Sequence, residues 1–423
     1  MTAHLFSQIF AAALVASLAL RFWLAGRQIR WVARHRETVP EAFAERVTLA
    51  AHQRAADYTI ARTRLGLVEA ALGTVTLVAL TFFGGLQALQ DLWIRWLPDD
   101  GFPRAIALLL SVPLISGAVD LPLSWYRQFR LEQRFGFNRM TLPLWISDLL
   151  KGTLVAMVLG VPLSAAVIWL MHGAGGHWWL WVWCVWVAFN LTVLVLYPTV
   201  IAPIFNRFEP LPEGTERSRI EGLLARCGFE ARGLFVMDGS RRSAHGNAYF
   251  TGFGKAKRIV FFDTLLARLA PDELEAVLAH ELGHFRHRHI LKRIVVTFAL
   301  SLAGLWLLGL LASQAWFYQG LGVTRPIDAA PVALLLFFLA LPVFTFPMQP
   351  LFSLASRRHE FEADAFAASQ ASAGALVSAL VRLYEDNAAT LTPDPIHSAF
   401  YDSHPPATVR VGRLERLRAA RAT

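Results

Sequence analysis

The 423 residues would suffice for two or three soluble domains, but 55% of them are hydrophobic, 14 are Trp, and the mean hydropathy is +0.43. That composition excludes an ordinary soluble enzyme and belongs in a bilayer. A net charge of +9 would suit a nucleic-acid binder in a soluble chain. Here the basic residues follow the loops between apolar runs, so the excess reads as topology facing anionic lipid, with no nucleic acid as partner.

Seven apolar runs are long enough to span a membrane: 4–24, 65–97, 102–125, 144–171, 178–204, 290–318 and 331–354. The first has no Lys or Arg before it and no small-residue cleavage site, so it reads as a span and not as a signal peptide. The loop after it carries eight arginines between Arg27 and Arg64, whereas the next turn, Pro98-Asp-Asp-Gly101, is acidic. Arg127, Arg130, Arg134 and Arg139 follow the third span; the turn 172–177 has no Lys or Arg, and 319–330 has only Arg325 against Asp328. This alternation predicts an N-terminus outside and a C-terminus in the cytoplasm. Glu69, Asp91, Asp120, Asp148, Lys151 and Asn190 lie in or near the spans, facing either a wet interior or partners at helix ends.

The segment from Arg207 to His289 is polar enough to stand outside the bilayer. Residues 218–226 have helical spacing, and 233–238, 248–251 and 258–262 read as short strands separated by glycine-containing turns. Cys184 sits in an apolar run and Cys227 in this polar segment, so no disulfide and no C-x-x-C motif is expected. Any metal is then held by His and carboxylate.

The segment closes on Leu278-Ala-His-Glu-Leu-Gly-His284. Pro271-Asp-Glu-Leu-Glu-Ala276 before it is a helix start, with proline in the first turn and acids at the positive end of the dipole. On that helix His280 and His284 share one face and can bind one ion, and Glu281 stands where a carboxylate can take a proton from an activated water. Two histidines also fit a basic helix surface; a catalytic zinc needs a third protein ligand with one position left open. His287 lies about two turns from His280, and on a continuing helix His289 turns away from the pair, so both are read as interfacial basic residues. The stronger source is Ser356-Arg-Arg-His-Glu-Phe-Glu-Ala-Asp-Ala-Phe366, after the seventh span. Glu360 and Asp364 share one face of a helix there, one to ligate and one to accept from a ligating histidine, while Glu362 falls on the opposite side. An amphipathic helix of mixed charge would have the same pattern.

His280-Glu-Leu-Gly-His284 together with Arg358-His-Glu-Phe-Glu-Ala-Asp364 resembles the M48 metallopeptidases, of the gluzincin type, and within them the integral-membrane type I CAAX prenyl proteases. The resemblance extends over Arg134-Phe-Gly-Phe-Asn-Arg-Met-Thr141, Tyr197-Pro-Thr-Val-Ile-Ala-Pro-Ile-Phe205, Pro210-Leu-Pro-Glu-Gly214, Gly246-Asn-Ala-Tyr-Phe-Thr-Gly252, Lys257-Arg-Ile-Val-Phe-Phe-Asp-Thr-Leu265 and Ser403-His-Pro-Pro406. It implies one zinc per chain on His280, His284 and Glu360, with Asp364 and Arg410 in support and Glu281 as general base. His404 would stabilise the oxyanion, and substrate would add to the edge formed by Asn247, Ala248 and Tyr249. The implied fold is mainly α: a polytopic protein whose seven transmembrane helices form a barrel around a water-filled chamber, with a cytoplasmic zincin-like domain containing a small β-sheet.

The chain divides accordingly into membrane helices 1–204, a catalytic segment 205–289, membrane helices 290–354 and a second catalytic segment 355–423. The partners implied are a peptide or protein substrate, prenylated or membrane-associated, and the lipid bilayer, with the enzyme a monomer. Abundant Ala and Arg with little Lys points to a bacterial inner membrane, or to the endoplasmic reticulum if the source is eukaryotic. Two rivals remain: a quality-control protease acting on misfolded or stalled unprenylated chains, for which seven spans are too many, and a chamber protein with a structural metal, which would close all four ligand positions.

Overall fold

The computed structural model describes residues 1–97, 101–230, 233–251, 258–324 and 326–422. Residues 98–100 of the acidic turn, Gly252, Lys257 and Arg325 lie outside the described residues.

Seven helices are long and apolar enough to cross a membrane: Ala3–Arg34, Leu49–Leu80, Phe102–Glu132, Leu142–Gly173, Gly175–Phe205, His289–Leu311 and Ala329–Gln370. Threonine side chains start three of them, Thr2, Thr48 and Thr141 each accepting from the backbone three residues on. The first two have 32 residues each. At a rise of about 1.5 Å per residue they reach roughly 48 Å, well beyond an apolar core of about 30 Å. Their arginine-bearing ends therefore stand clear of the lipid as helix and brace the polar half. Arg36 holds Asp57 at 2.8 and 3.0 Å, and the Tyr58 hydroxyl donates to Glu132 at 2.7 Å.

Two expected spans are corrected. The run 65–97 is not one helix: the second span begins at Leu49 and ends at Leu80, Gly84 takes φ 70°, and Gly85–Trp96 is a separate helix. A Cβ on Gly85 would stand 2.6 Å from the Ala79 carbonyl oxygen, so the tight break needs glycine. The run 290–318 stops at Leu311, and Ala315–Gly320 folds back against the first span, where the Ser7 hydroxyl donates to the Gly320 carbonyl at 2.7 Å.

Three of the six polar residues of the spans pair with other segments. Arg127 bonds Glu69, Arg242 binds Asp148 through two bonds of 2.8 and 3.0 Å, and the Lys151 ammonium donates to the Ile204 carbonyl at 3.1 Å. The cavity of about 1140 Å³ among the third to seventh spans is lined by side chains such as Leu109, Leu150, Met157, Trp186 and Phe338. None of Glu69, Asp91, Asp120, Asp148, Lys151 and Asn190 borders it. A second cavity, of about 1090 Å³, has more polar side chains on its wall than the first: it lies between the first two spans and the catalytic segments and is bordered by Arg21, Arg62, His245, Asn247 and His404.

Outside the spans, strands β1 (Phe208–Pro210), β2 (Gly233–Met237), β3 (Ala248–Thr251) and β4 (Arg258–Phe262) form one sheet in the order β1-β2-β4-β3. β2 and β4 run parallel, with Phe235 opposite Val260; β3 pairs antiparallel with β4, with Tyr249 opposite Val260. β3 is thus an edge strand. The expected strands are present, while β1, three residues ending in proline, was too short to foresee. In the motif helix Pro271–Arg286, Leu274, Leu278 and Leu282, one turn apart and at most 2% exposed, belong to the same buried core as Leu234, Ile259 and Phe261 of the sheet. Each such side chain contributes roughly 1.5–3 kcal/mol on burial, and the stripe fixes which face of the helix turns to the site.

Candidate metal centre

Two helices meet at the centre. Pro271–Arg286 starts with Glu273 reaching back to the Ala270 amide at 2.8 Å, so its first turn is capped and the rotation of His280 and His284 is set. Gln349–Gln370 continues the line of the last span after a short 3-10 turn at Phe346–Met348 and carries Glu360 and Asp364 on its buried side. Gly283 lies where the two cross: a Cβ there would stand 2.8 Å from the Ala363 Cα. Gly283→Ala must force the helices apart. We expect it to cost about 1–3 kcal/mol of stability as overpacking does, and to weaken metal binding, read by thermal unfolding and by chelator competition.

His280 Nε2 and His284 Nε2 are 3.3 Å apart, and the Glu360 carboxylate oxygens stand 3.4 Å from the first and 3.3 Å from the second. Donors about 2.0–2.1 Å from one tetrahedral ion are separated by about 3.3–3.4 Å, the spacing that each histidine has to the other and to one of the two Glu360 oxygens, so the donor set suits zinc. Glu360 Oε2 is buried with no hydrogen-bond partner, an orphan that a cation would satisfy.

Behind the triangle, the His280 Nδ1 proton reaches Asp364 Oδ1 at 2.9 Å, which leaves Nε2 free to ligate. Arg410 holds the same carboxylate with two bonds of 2.9 and 2.6 Å, and its Nη1 is 3.6 Å from Glu360 Oε2. Burial opposes protonation of His280, but the Asp364 and Glu360 carboxylates outweigh it and raise the ring to about 9 before any cation binds.

In front is a cavity of about 350 Å³ bordered by Asn247, Ala248, His280, Glu281, Tyr384, His404 and Arg410. Burial raises the Glu281 carboxyl, the direction that suits a proton acceptor working near neutrality. His404, 60% exposed, opens onto the cavity with Nε2 3.4 Å from Glu360 Oε1. Desolvation lowers its pKa, the direction that favours the neutral ring. The Ser403 hydroxyl, 2.9 Å from Nδ1, can donate there and leave the proton on Nε2.

Of the substrate-edge residues, Asn247 and Ala248 border the cavity, whereas the Tyr249 ring turns against Phe262 and Met237 on the other face. Tyr249 is therefore placed to offer its backbone. Sequence reasoning missed Gly283, visible only as the G of the motif, and Tyr384, which carries no local signal. It also misplaced His289. Arg288 adopts φ 56°, breaking the helix, so His289 does not turn away: it is 4% exposed, and its Nδ1 lies 3.0 Å from His284 Nδ1. Among the described residues His287, His289 and Glu362 form a second group of potential metal donors.

Comparison with known proteins agrees with this geometry. The family model for the CAAX prenyl protease N-terminal region, with five membrane helices, matches residues 28–207, and that for peptidase family M48 matches 210–418. The chain is 39% identical to the CAAX prenyl protease 1 homolog of Oryza sativa subsp. japonica over 74% of this chain and 73% of that one. It is 34% identical to CAAX prenyl protease 1 of Saccharomyces cerevisiae over 74% of this chain and 72% of that one. The crystal structure of S. mikatae Ste24p is similar with a TM-score of 0.91 at 28% identity, covering 97% of this chain and 99% of that one. With its seven membrane helices and its two-histidine, one-glutamate centre, the chain is a multi-pass membrane metalloendopeptidase and belongs to peptidase family M48, among the CAAX prenyl protease 1 homologues.

Proposed function

We propose that the chain is a zinc endopeptidase that cuts near the C-terminus of prenylated, C-a-a-X-ending peptides, with one zinc held by His280, His284 and Glu360. The observation that carries this reading is the cluster of two imidazole nitrogens and the Glu360 carboxylate at spacings of 3.3–3.4 Å, with Glu281 and an edge strand on its open side. The aliphatic wall of the same cavity, Leu265, Val277, Leu376, Leu380 and Leu383, suits the two aliphatic residues of such a sequence. The catalytic segments face the cytoplasm and the N-terminus lies outside, in keeping with the arginine-rich alternate loops.

Bound zinc would supply Lewis acidity at the scissile carbonyl and lower the pKa of the attacking water. The chain's own groups do the rest. The open edge of β3 at Asn247–Ala248 holds the substrate backbone extended, as in strand addition. Glu281 accepts the proton of the attacking water and returns it to the amine nitrogen as the carbon–nitrogen bond breaks. His404 Nε2–H donates to the oxygen that gains charge as the carbonyl becomes tetrahedral. Arg410 and Asp364 keep His280 and Glu360 in place.

The test is incubation of the detergent-purified chain with a farnesylated C-a-a-X peptide and with its unprenylated twin, products being located by mass spectrometry. Cleavage on the C-terminal side of the modified cysteine, faster for the prenylated peptide, is expected. Equal or exclusive cleavage of unprenylated chains would overturn the prenyl-peptide assignment.

A further inference from the structure

The second donor group sits directly behind the first. His289 Nε2 is 2.8 Å and His287 Nδ1 3.9 Å from the same Glu362 oxygen, and the three donor atoms lie within 4.8 Å of one another. The His287 ring stacks on that of His289 at 5.5 Å and 13°, and the His359 ring at 4.0 Å and 14°, which holds the plane of His289. His287 and Glu362 have side chains 40% and 46% exposed. They can therefore shift to bring the three donors, now within 4.8 Å of one another, to the spacing of about 3.3 Å around one ion. Two imidazoles and a carboxylate, with room for water, form a donor set for zinc or a similar divalent ion and not for calcium or magnesium.

We propose that His287, His289 and Glu362 form a second, weaker site for a zinc-like divalent ion, and that filling it opposes metal binding by His284 through the His284–His289 contact.

The opposition follows from where protons must sit. A neutral imidazole that ligates through Nε2 carries its proton on Nδ1. With only the first site filled, His284 Nδ1–H donates to His289 Nδ1 at 3.0 Å, and His289 Nε2–H donates to Glu362 at 2.8 Å. An ion on His289 Nε2 moves that ring's proton to Nδ1, where it meets the proton of His284. Both hydrogen bonds are lost and two donors face each other. Coupling is reciprocal, so each ion weakens the other, by roughly 5- to 150-fold if the effect is of the usual size.

The opposition rests on the assignment of His280, His284 and Glu360 to the first ion; the second site itself does not. The experiment is equilibrium dialysis of the full-length protein in detergent against rising free zinc, with zinc per chain measured by elemental analysis and peptidase activity followed in parallel. The wild type should rise from one zinc per chain to two, with the second step weaker than the single step of His280→Ala by the coupling factor. His287→Leu and, independently, Glu362→Gln should stay at one zinc; that retained zinc reports a folded first site, and His287→Leu should keep its activity at high zinc. His280→Ala, with the first site broken, should still take up one. A wild type that never exceeds one zinc, or a His287→Leu protein that still reaches two, overturns the site. A His280→Ala protein that binds its one zinc no more tightly than the wild type binds its second overturns the opposition.

Discussion

Glu281→Gln is expected to lower kcat by roughly 10²- to 10⁴-fold, the usual contribution of a positioned general base, while zinc stays at one per chain. The amide keeps the shape of the carboxylate but accepts no proton at neutral pH, so the proton of the attacking water has no place to go. The metal triangle is untouched, because Glu281 borders the cavity and is not among the three donors. Stability should hold or rise slightly: burial already raises the carboxyl's pKa, so a neutral group is the cheaper occupant. KM should change little, because the lost interaction belongs to the transition state. Steady-state kinetics with elemental analysis of both proteins decide it. Activity within about tenfold of wild type with metal retained would remove Glu281 from the role of base.

Much of this centre was legible in the chain because its parts are local. An i, i+4 pair of histidines on a capped helix, and an i, i+4 pair of carboxylates on another, are statements about a 3.6-residue period, and the structure keeps both. The joining of the two pairs was not legible from spacing, since about eighty residues and two spans separate His280 from Glu360; the family resemblance supplied it. Where the reading failed, a backbone event had no residue-type marker. Arginine does not announce a positive φ, so the turn at Arg288 that swings His289 behind His284 was invisible, and a continuous helix pointed it the wrong way. The break at Gly84–Gly85 did have a marker, but a count of apolar residues passes over glycine. The same count placed the start of the second span at Leu65, because the residues from Leu49 onward, though helical, are too charged for lipid.

Asp364→Asn should be the most damaging substitution outside the ligands themselves. Asp364 is 1% exposed and Arg410 5%, and the carboxylate accepts from both Arg410 and His280. Asparagine has nearly the same volume, so packing survives, but Arg410 is left as a buried cation without its partner. Removing one member of such a pair typically costs about 3–5 kcal/mol. The damage does not stop at stability. Glu360 is the carboxylate nearest to Arg410 after Asp364, at 3.6 Å, so the stranded guanidinium draws Glu360 away from the metal just as His280 loses the acceptor that fixes its tautomer. Zinc affinity should drop by about 10- to 100-fold, as it does when a supporting carboxylate is lost. Arg410→Gln removes the cation instead and leaves the Asp364–His280 bond in place, so it should destabilise the fold with a smaller loss of affinity. Chelator competition and thermal unfolding of both variants, each with and without zinc, separate the two effects. If Asp364→Asn holds zinc as tightly as the wild type, the carboxylate serves the fold alone and has no part in orienting His280.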